Sequence, residues 1–235
     1  MQLTVREVSK YLNVSEATVT RWIKQRGLPS QHVGGQFRFN PAELLEWATT
    51  NKIKVSVEMF DRADPEDEPV PSLVEALELG GIFYDLKDVS KDQALRALVD
   101  LLPLPEGIDR EEIFRLFQAR ESLTTTAIGN GIALPHVRSP MVLHVERPMV
   151  TLCFLENPVD FGALDRIPVQ VLFSIICPTT RSHLQILSRL SQALNDPAFR
   201  AAVLSQAQPD EILEAARRVE ASLPSSAAPA GKAKP

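Results

Sequence analysis

The chain has 235 residues, enough for two domains or one large one. Its apolar fraction of 44% and charged fraction of 23% are ordinary for a globular protein, and no apolar run reaches membrane-spanning length. The net charge of −5 is uneven: residues 1–54 hold eight Lys/Arg against four Asp/Glu, and residues 55–235 hold 17 against 26, so a basic small part precedes an acidic larger one with different partners. The first residues lack the long apolar core of a signal peptide. Cys153 and Cys177 sit in apolar runs without metal-type spacing, as reduced core thiols would. A cytoplasmic protein without membrane insertion is expected.

In chain order, Thr4 and Glu7 form a capping box that opens a helix to residue 12. Asn13 and Val14 make a turn, Ser15 caps a second helix to about residue 26, and Gly27 stops it. Residues 31–39 predict a hairpin turning at Gly34-Gly35. Asn40 and Pro41 start a third helix, whose apolar face carries Leu44, Leu45, Trp47 and Ala48. The segment 61–71 is acidic and rich in proline, the composition of an extended linker. Beyond it, the pattern predicts a short helix from Ser72, a strand at 82–86, and helices at 91–102 and 110–120. Strands follow at 149–154 and 169–176, then helices at 180–195 and 209–220. The two later strands are near-continuous apolar runs, which suit burial on both faces of a sheet. Residues from 224 onward form a Pro/Ala/Ser/Lys tail, read as disordered. The domain organisation read from this is 1–54, a linker at 55–71, 72–221, and a tail at 222–235.

The densest chemistry lies between Arg120 and His136, read as a glycine-punctuated loop. A histidine titrates near neutral pH, and its neutral ring is a nucleophile. Pro135 presents it rigidly. Backbone N–H groups around Gly129 and Gly131 can approach an anion closely. The hydroxyls of Thr125 and Thr126 and the Arg120 guanidinium are natural phosphate donors. The pattern points to a histidine that receives a phosphoryl group. In the blander alternative, Thr125 and Thr126 cap loop backbone and Arg120 makes a surface ion pair.

The run Arg120-Glu121, Thr125-Thr126, Ile128-Gly129-x-Gly131-Ile132-Ala133-x-Pro135-His136 resembles the active-site signature of EIIA proteins of the bacterial phosphotransferase system, of the fructose/mannitol/nitrogen-regulatory type. The resemblance spans about residues 72–220. It implies an α/β domain with a mixed sheet flanked by helices, and His136 as carrier of phosphate between an HPr-like protein and a downstream acceptor. It implies that Arg120, sixteen positions earlier, assists with phosphate. It also implies that His183, near the start of a later helix, lies beside His136. It implies neither metal nor cofactor, and no His/Asp/Glu grouping has metal-ligand spacing. Two departures are Ala127, where the family often has glycine, and Val137-Arg138, where glycine and a basic residue are common.

The first 50 residues resemble the winged helix-turn-helix of the excisionase/MerR-like family, mainly α, through Leu3-Thr4-Val5-Arg6-Glu7-Val8, Val14-Ser15-x-x-Thr18-Val19-x-Arg21-Trp22-Ile23 and Leu44-Leu45-Glu46-Trp47. By that resemblance Ser15, Thr18, Thr20 and Arg21 face a DNA groove, Lys24 reaches phosphate, and the wing offers Gln36 and Arg38. The alternative is a module that docks a protein or forms a homodimer, since Glu16 would be repelled by phosphate. The resulting expectation is a regulatory phosphocarrier coupled to a DNA-binding or regulator-docking domain. Its partners are an HPr-like carrier, DNA, and a downstream regulator, kinase or EIIB-type acceptor. The competing readings are a transcription factor whose EIIA domain only senses and a sugar-specific EIIA component of uptake. His32 and His144 are read as structural.

Overall fold

The structure, a computed structural model, describes residues 3–33, 36–51, 53, 55, 70–87, 90–137 and 145–223. The N-terminal unit runs β1 (Leu3–Thr4), α1 (Val5–Tyr11), α2 (Glu16–Gln25), β2 (Gln31–Val33), β3 (Gln36–Phe39) and α3 (Pro41–Thr50). Both capping predictions hold. Thr4 and Glu7 close a reciprocal box at α1, and the Ser15 hydroxyl accepts the Thr18 N–H at α2. Asn13 and Gly27 take the left-handed backbone conformation that ends each helix. The wing strands pair antiparallel as expected, and the Gly34-Gly35 turn lies outside the described residues. A third strand, β1, pairs with β3 at Leu3↔Phe39 and Thr4↔Arg38. Two residues are too few for a period-2 signal, so only tertiary pairing reveals it.

The larger unit runs α4 (Leu73–Gly80), β4 (Ile82–Leu86), α5 (Lys91–Leu101), α6 (Arg110–Leu123), β5 (Ala127–Gly129), β6 (Ile132–Ala133), β7 (Met149–Val159), β8 (Val169–Ile176), α7 (Thr180–Asn195), α8 (Pro197–Leu204) and α9 (Pro209–Ser222). Its five strands form a mixed sheet in the order β4-β7-β8-β6-β5. β4 and β7 are parallel, β7 and β8 antiparallel, β8 and β6 parallel, and β6 and β5 antiparallel.

Successive residues of a strand point to opposite faces, so parity in β7 and β8 decides which core each side chain joins. Leu152, Phe154, Val171, Phe173 and Ile175 share one cluster with residues of α4, α7, α8 and α9. Cys153, Leu155, Leu172 and Ile176 share another with residues of α5 and α6. The sheet is covered on both sides, which is why both strands read as unbroken apolar runs.

Three expectations need amendment. The segment after α6 is not a loop but a short hairpin, β5 and β6, because Gly131 carries the chain into register with β8. Helix α6 continues a turn beyond residue 120, to Leu123. Helix α8 was not foreseen. Asp196 caps it through the N–H groups of Ala198 and Phe199, with Pro197 at its first position. Segments 56–69 and 224–235, read as linker and tail, lie outside the described residues.

Two contacts fasten the helical layer. The half-buried carboxylate of Glu220 accepts the Ser72 hydroxyl at 2.8 Å, the Leu73 N–H at 2.6 Å and an Arg189 N–H at 2.6 Å, joining the start of α4 to α7 and α9. At the other end of α4, Gly80 lies directly on β7, where an added Cβ would stand 2.2 Å from the Val150 carbonyl oxygen. Backbone on both sides leaves no flexible group to yield. Gly80→Ala is therefore expected to destabilise the protein by about 2 kcal/mol or more through overpacking, measured as a lowered denaturant midpoint with unchanged slope.

Candidate functional site

The site begins with the last turn of α6. Glu121 is 5% exposed, and a carboxylate so buried requires fixed partners. It accepts the backbone N–H of Thr126 at 2.9 Å and the Thr126 hydroxyl at 2.6 Å, with Lys91 Nζ 3.6 Å from its other oxygen. Thr126 in turn accepts the Leu134 N–H on its carbonyl at 3.0 Å. The Leu134 carbonyl then meets His136 Nδ1 at 2.7 Å. A carbonyl only accepts, so this bond places a proton on Nδ1, and in the neutral ring the lone pair is on Nε2. A chain of hydrogen bonds thus runs from a helix end, across a hairpin, to the orientation of one imidazole.

The hairpin itself depends on two glycines. Gly129 and Gly131 have φ of +89° and +74° on either side of Asn130, which also has positive φ. A Cβ on Gly129 would stand 2.9 Å from the Asp165 carboxylate, whose Oδ2 accepts the Asn130 N–H at 2.6 Å. The Gly131 carbonyl accepts the N–H groups of Gln170 and Val171, at 2.8 and 3.0 Å, which sets β6 beside β8.

His183 arrives from the opposite side. Thr179 caps α7, and its carbonyl takes the His183 N–H at 3.0 Å in the first turn. The His136 and His183 rings are 5.4 Å apart between centroids, at 42°. They are 4% and 3% exposed. Arg120 is buried as well, away from the surface, and donates to the Thr124 carbonyl at 2.9 Å. His136, His183, Arg120, Thr124 and Thr125 line one side of a cavity of about 490 Å³. Two imidazoles and a guanidinium converging there suit a phosphoryl-sized anion.

The structure gathers some of the expected residues and not others. Thr125 reaches the cavity, but its hydroxyl donates to the Phe161 carbonyl at 2.7 Å and accepts the Ala127 N–H at 3.1 Å. Thr126 is held by Glu121. Neither it nor Gly129 and Gly131 is among the residues that line the cavity. These three shape the hairpin that carries His136. Glu121 and Lys91 were not foreseen, and the only signal for Glu121 was its place beside Arg120 in the signature. Arg138 and His144 lie outside the described residues, and His32 packs edge-on against Phe37.

In the N-terminal unit, Val19 is fully buried, while Trp22 stacks against Trp47 at 5.4 Å. Ser15 and Thr18 bond each other, and Thr20 donates to the Glu16 carbonyl, so these hydroxyls are engaged locally. Arg21, Lys24 and Gln36 are exposed, and Arg38 is half-buried in β3. Removing one link of the Glu121 chain gives a direct check. Thr126→Val should cost about 2 kcal/mol, as expected for a lost bond to a buried charge, and should perturb the His136 ring in nitrogen-15 spectra, which a remote cavity would not do.

Among the described residues, no helix is long and apolar enough to cross a membrane. A family model described as phosphoenolpyruvate-dependent sugar phosphotransferase system, EIIA 2, matches residues 75–218, and a helix-turn-helix domain model matches residues 3–52. The chain is 35% identical over 127 residues to a nitrogen regulatory protein of Pseudomonas aeruginosa, covering 52% of this chain and 80% of that protein. It is 33% identical over 126 residues to a PTS system fructose-specific EIIA component of Haloferax volcanii, covering 52% of this chain and 79% of that one. The crystal structure of the nitrogen regulatory protein IIA-Ntr from Neisseria meningitidis superposes with a TM-score of 0.54 at 27% identity, over 61% of this chain and 98% of that one. The mixed sheet, the paired histidines and the length of the match agree: the chain belongs to the EIIA type-2 family of the phosphoenolpyruvate-dependent sugar phosphotransferase system, with a helix-turn-helix domain ahead of it.

Proposed function

We propose that this protein is a regulatory phosphocarrier of the cytoplasm that accepts a phosphoryl group from an HPr-like protein on Nε2 of His136. The observation that carries the reading is the Nδ1 bond of His136 to the Leu134 carbonyl, made beside His183 and Arg120. In the transfer, the bond from phosphorus to the donor breaks as the bond from phosphorus to Nε2 forms, roughly in line. The Leu134 carbonyl stabilises the Nδ1 proton as the ring gains positive character. Arg120 and His183 meet the negative charge of the phosphoryl oxygens with fixed groups instead of reorganising water. Thr125, Thr126, Gly129 and Gly131 serve by holding the hairpin in place. No metal or cofactor is assigned to the step.

The regulatory reading is favoured over sugar uptake by the helix-turn-helix domain and by likeness to nitrogen regulatory proteins. We assign residues 1–54 to a DNA-binding or regulator-docking domain, 72–221 to the phosphocarrier domain, and 55–71 and 222–235 to linker and tail. On DNA, Arg21 and Lys24 would contact the duplex from the exposed face of α2, with Gln36 and Arg38 on the wing, while Ser15, Thr18 and Thr20 fix the start of the helix. A homodimer would double this small phosphate footprint. Phosphate would pass onward to a regulator, kinase or EIIB-type acceptor.

Two measurements test the proposal. With phosphoenolpyruvate, enzyme I and an HPr-type carrier, intact mass at alkaline pH should show one phosphate on the wild type and none on His136→Ala. An unmodified wild type beside an active carrier refutes the carrier assignment. Binding to duplex DNA should weaken with salt, and Lys24→Ala should reduce the slope of log affinity against log salt by about 1. An unchanged slope would remove Lys24 from the interface.

A further inference from the structure

The cavity over His136 has two owners. Its far wall is the N-terminal unit, through Asn40, Glu43, Trp47, Thr50 and Asn51. These positions recur at helical spacing, so they form one stripe along α3 and its ends. Arg26 and Gly27, just beyond α2, complete that wall. Helix α3 packs on both α7 and β5, the elements that carry His183 and the hairpin leading to His136. Thr49 bridges the two units directly, its hydroxyl donating to the Leu45 carbonyl at 2.8 Å and meeting the Ser191 hydroxyl at 3.2 Å. Leu44, Leu45 and Ala48 are at most 1% exposed and belong to the same apolar cluster as Leu134, Ile186, Leu187 and Leu190.

We infer that the active-site face of the phosphocarrier domain is the docking surface of the chain's own N-terminal domain, and that docking there excludes the phosphoryl donor. A protein donor has to bring its phosphorus within bonding reach of His136, and a specific protein contact needs roughly 800 Å² of surface on each partner. The same face cannot serve α3 and a donor protein together, and the cavity that remains admits only small molecules. Occupancy by α3 therefore sets the fraction of molecules competent to accept phosphate. The exposed residues of α2, Arg21 and Lys24 among them, lie outside the docked stripe, so docking leaves that face open.

The consequence for phosphotransfer rests on the assignment of His136 as acceptor, whereas the docking itself does not. The full chain carrying Thr49→Cys and Ser191→Cys tests both. Two thiols in place of hydroxyls 3.2 Å apart are within reach of a disulfide. The native Cys153 and Cys177 are buried, and burial pushes the Cys177 thiol up to about 12, against a smaller opposing effect of its Ser182 hydrogen bond, so neither competes for oxidation. Mild oxidation should join residues 49 and 191. The oxidised protein should then accept phosphate from the HPr-type carrier about a hundredfold more slowly than the same protein after reduction. Thr49→Arg, which wedges the interface apart, should accept about tenfold faster than wild type at limiting carrier.

Failure of the disulfide to form overturns the docking. A disulfide that forms without slowing acceptance, or a Thr49→Arg variant with the wild-type rate, overturns the exclusion and leaves the carrier assignment standing. Reduced and wild-type proteins that both stay unphosphorylated beside an active carrier overturn the carrier assignment and the exclusion together. That pattern is told apart because reduction then restores nothing.

Discussion

The site depends on one buried carboxylate. Glu121 has left water almost completely, and leaving such a group unpaired would cost more than the fold can spare. Two hydrogen bonds to Thr126 satisfy one oxygen and fix where the chain goes after α6, while the other oxygen has the Lys91 ammonium at 3.6 Å and no hydrogen-bond partner among the described residues. Everything downstream inherits that position: the first residue of the hairpin, the Leu134 carbonyl, and the ring of His136. Arg120 lies one residue before the same carboxylate, so the guanidinium and the imidazole are referred to a common anchor.

The sheet supplies the second reference. The hairpin joins β8 at Ile132↔Val171, and α7 follows β8 after three residues, so both histidines are measured from one strand. Burial of β8 on both faces makes it rigid, because its side chains are committed to two separate cores. Two rings held 5.4 Å apart by segments far apart in sequence need such a platform to keep that separation.

Helix α3 serves both units at once. It closes the helix-turn-helix core with Leu44, Leu45 and Ala48, and it also presents a polar stripe with Glu43, Thr50 and Asn51 to the cavity. Interfaces between domains of one chain are commonly modest and more polar than cores, so they exchange between docked and undocked forms. Because the wall of the cavity belongs to a different unit from the histidines, a shift in that exchange would alter access to His136 without altering its chemistry.

Much of this was legible from residue order alone. Capping at Thr4 and Ser15, the apolar runs of β7 and β8, and the Arg120-to-His136 signature are local patterns, and local patterns survive in a single sequence. The hairpin and β1 were not legible, because strands of two or three residues carry no periodicity and exist only through their partners. Helix α8 was missed because its eight residues begin at Pro197, directly after the Asp196 cap, and this start is easily read as the end of α7. Glu121 is an ordinary acidic residue by composition, and its burial goes with its bonds to Thr126 and its approach to Lys91 on α5. By itself, then, the residue order determined which histidine is presented after a proline and which helices would form, since these depend on neighbours in the chain. Only the family resemblance put His183 beside His136 in advance; tertiary structure decided that Glu121 would be buried and that α3 would roof the cavity, because burial and the contact of α3 with α7 depend on segments far apart in sequence.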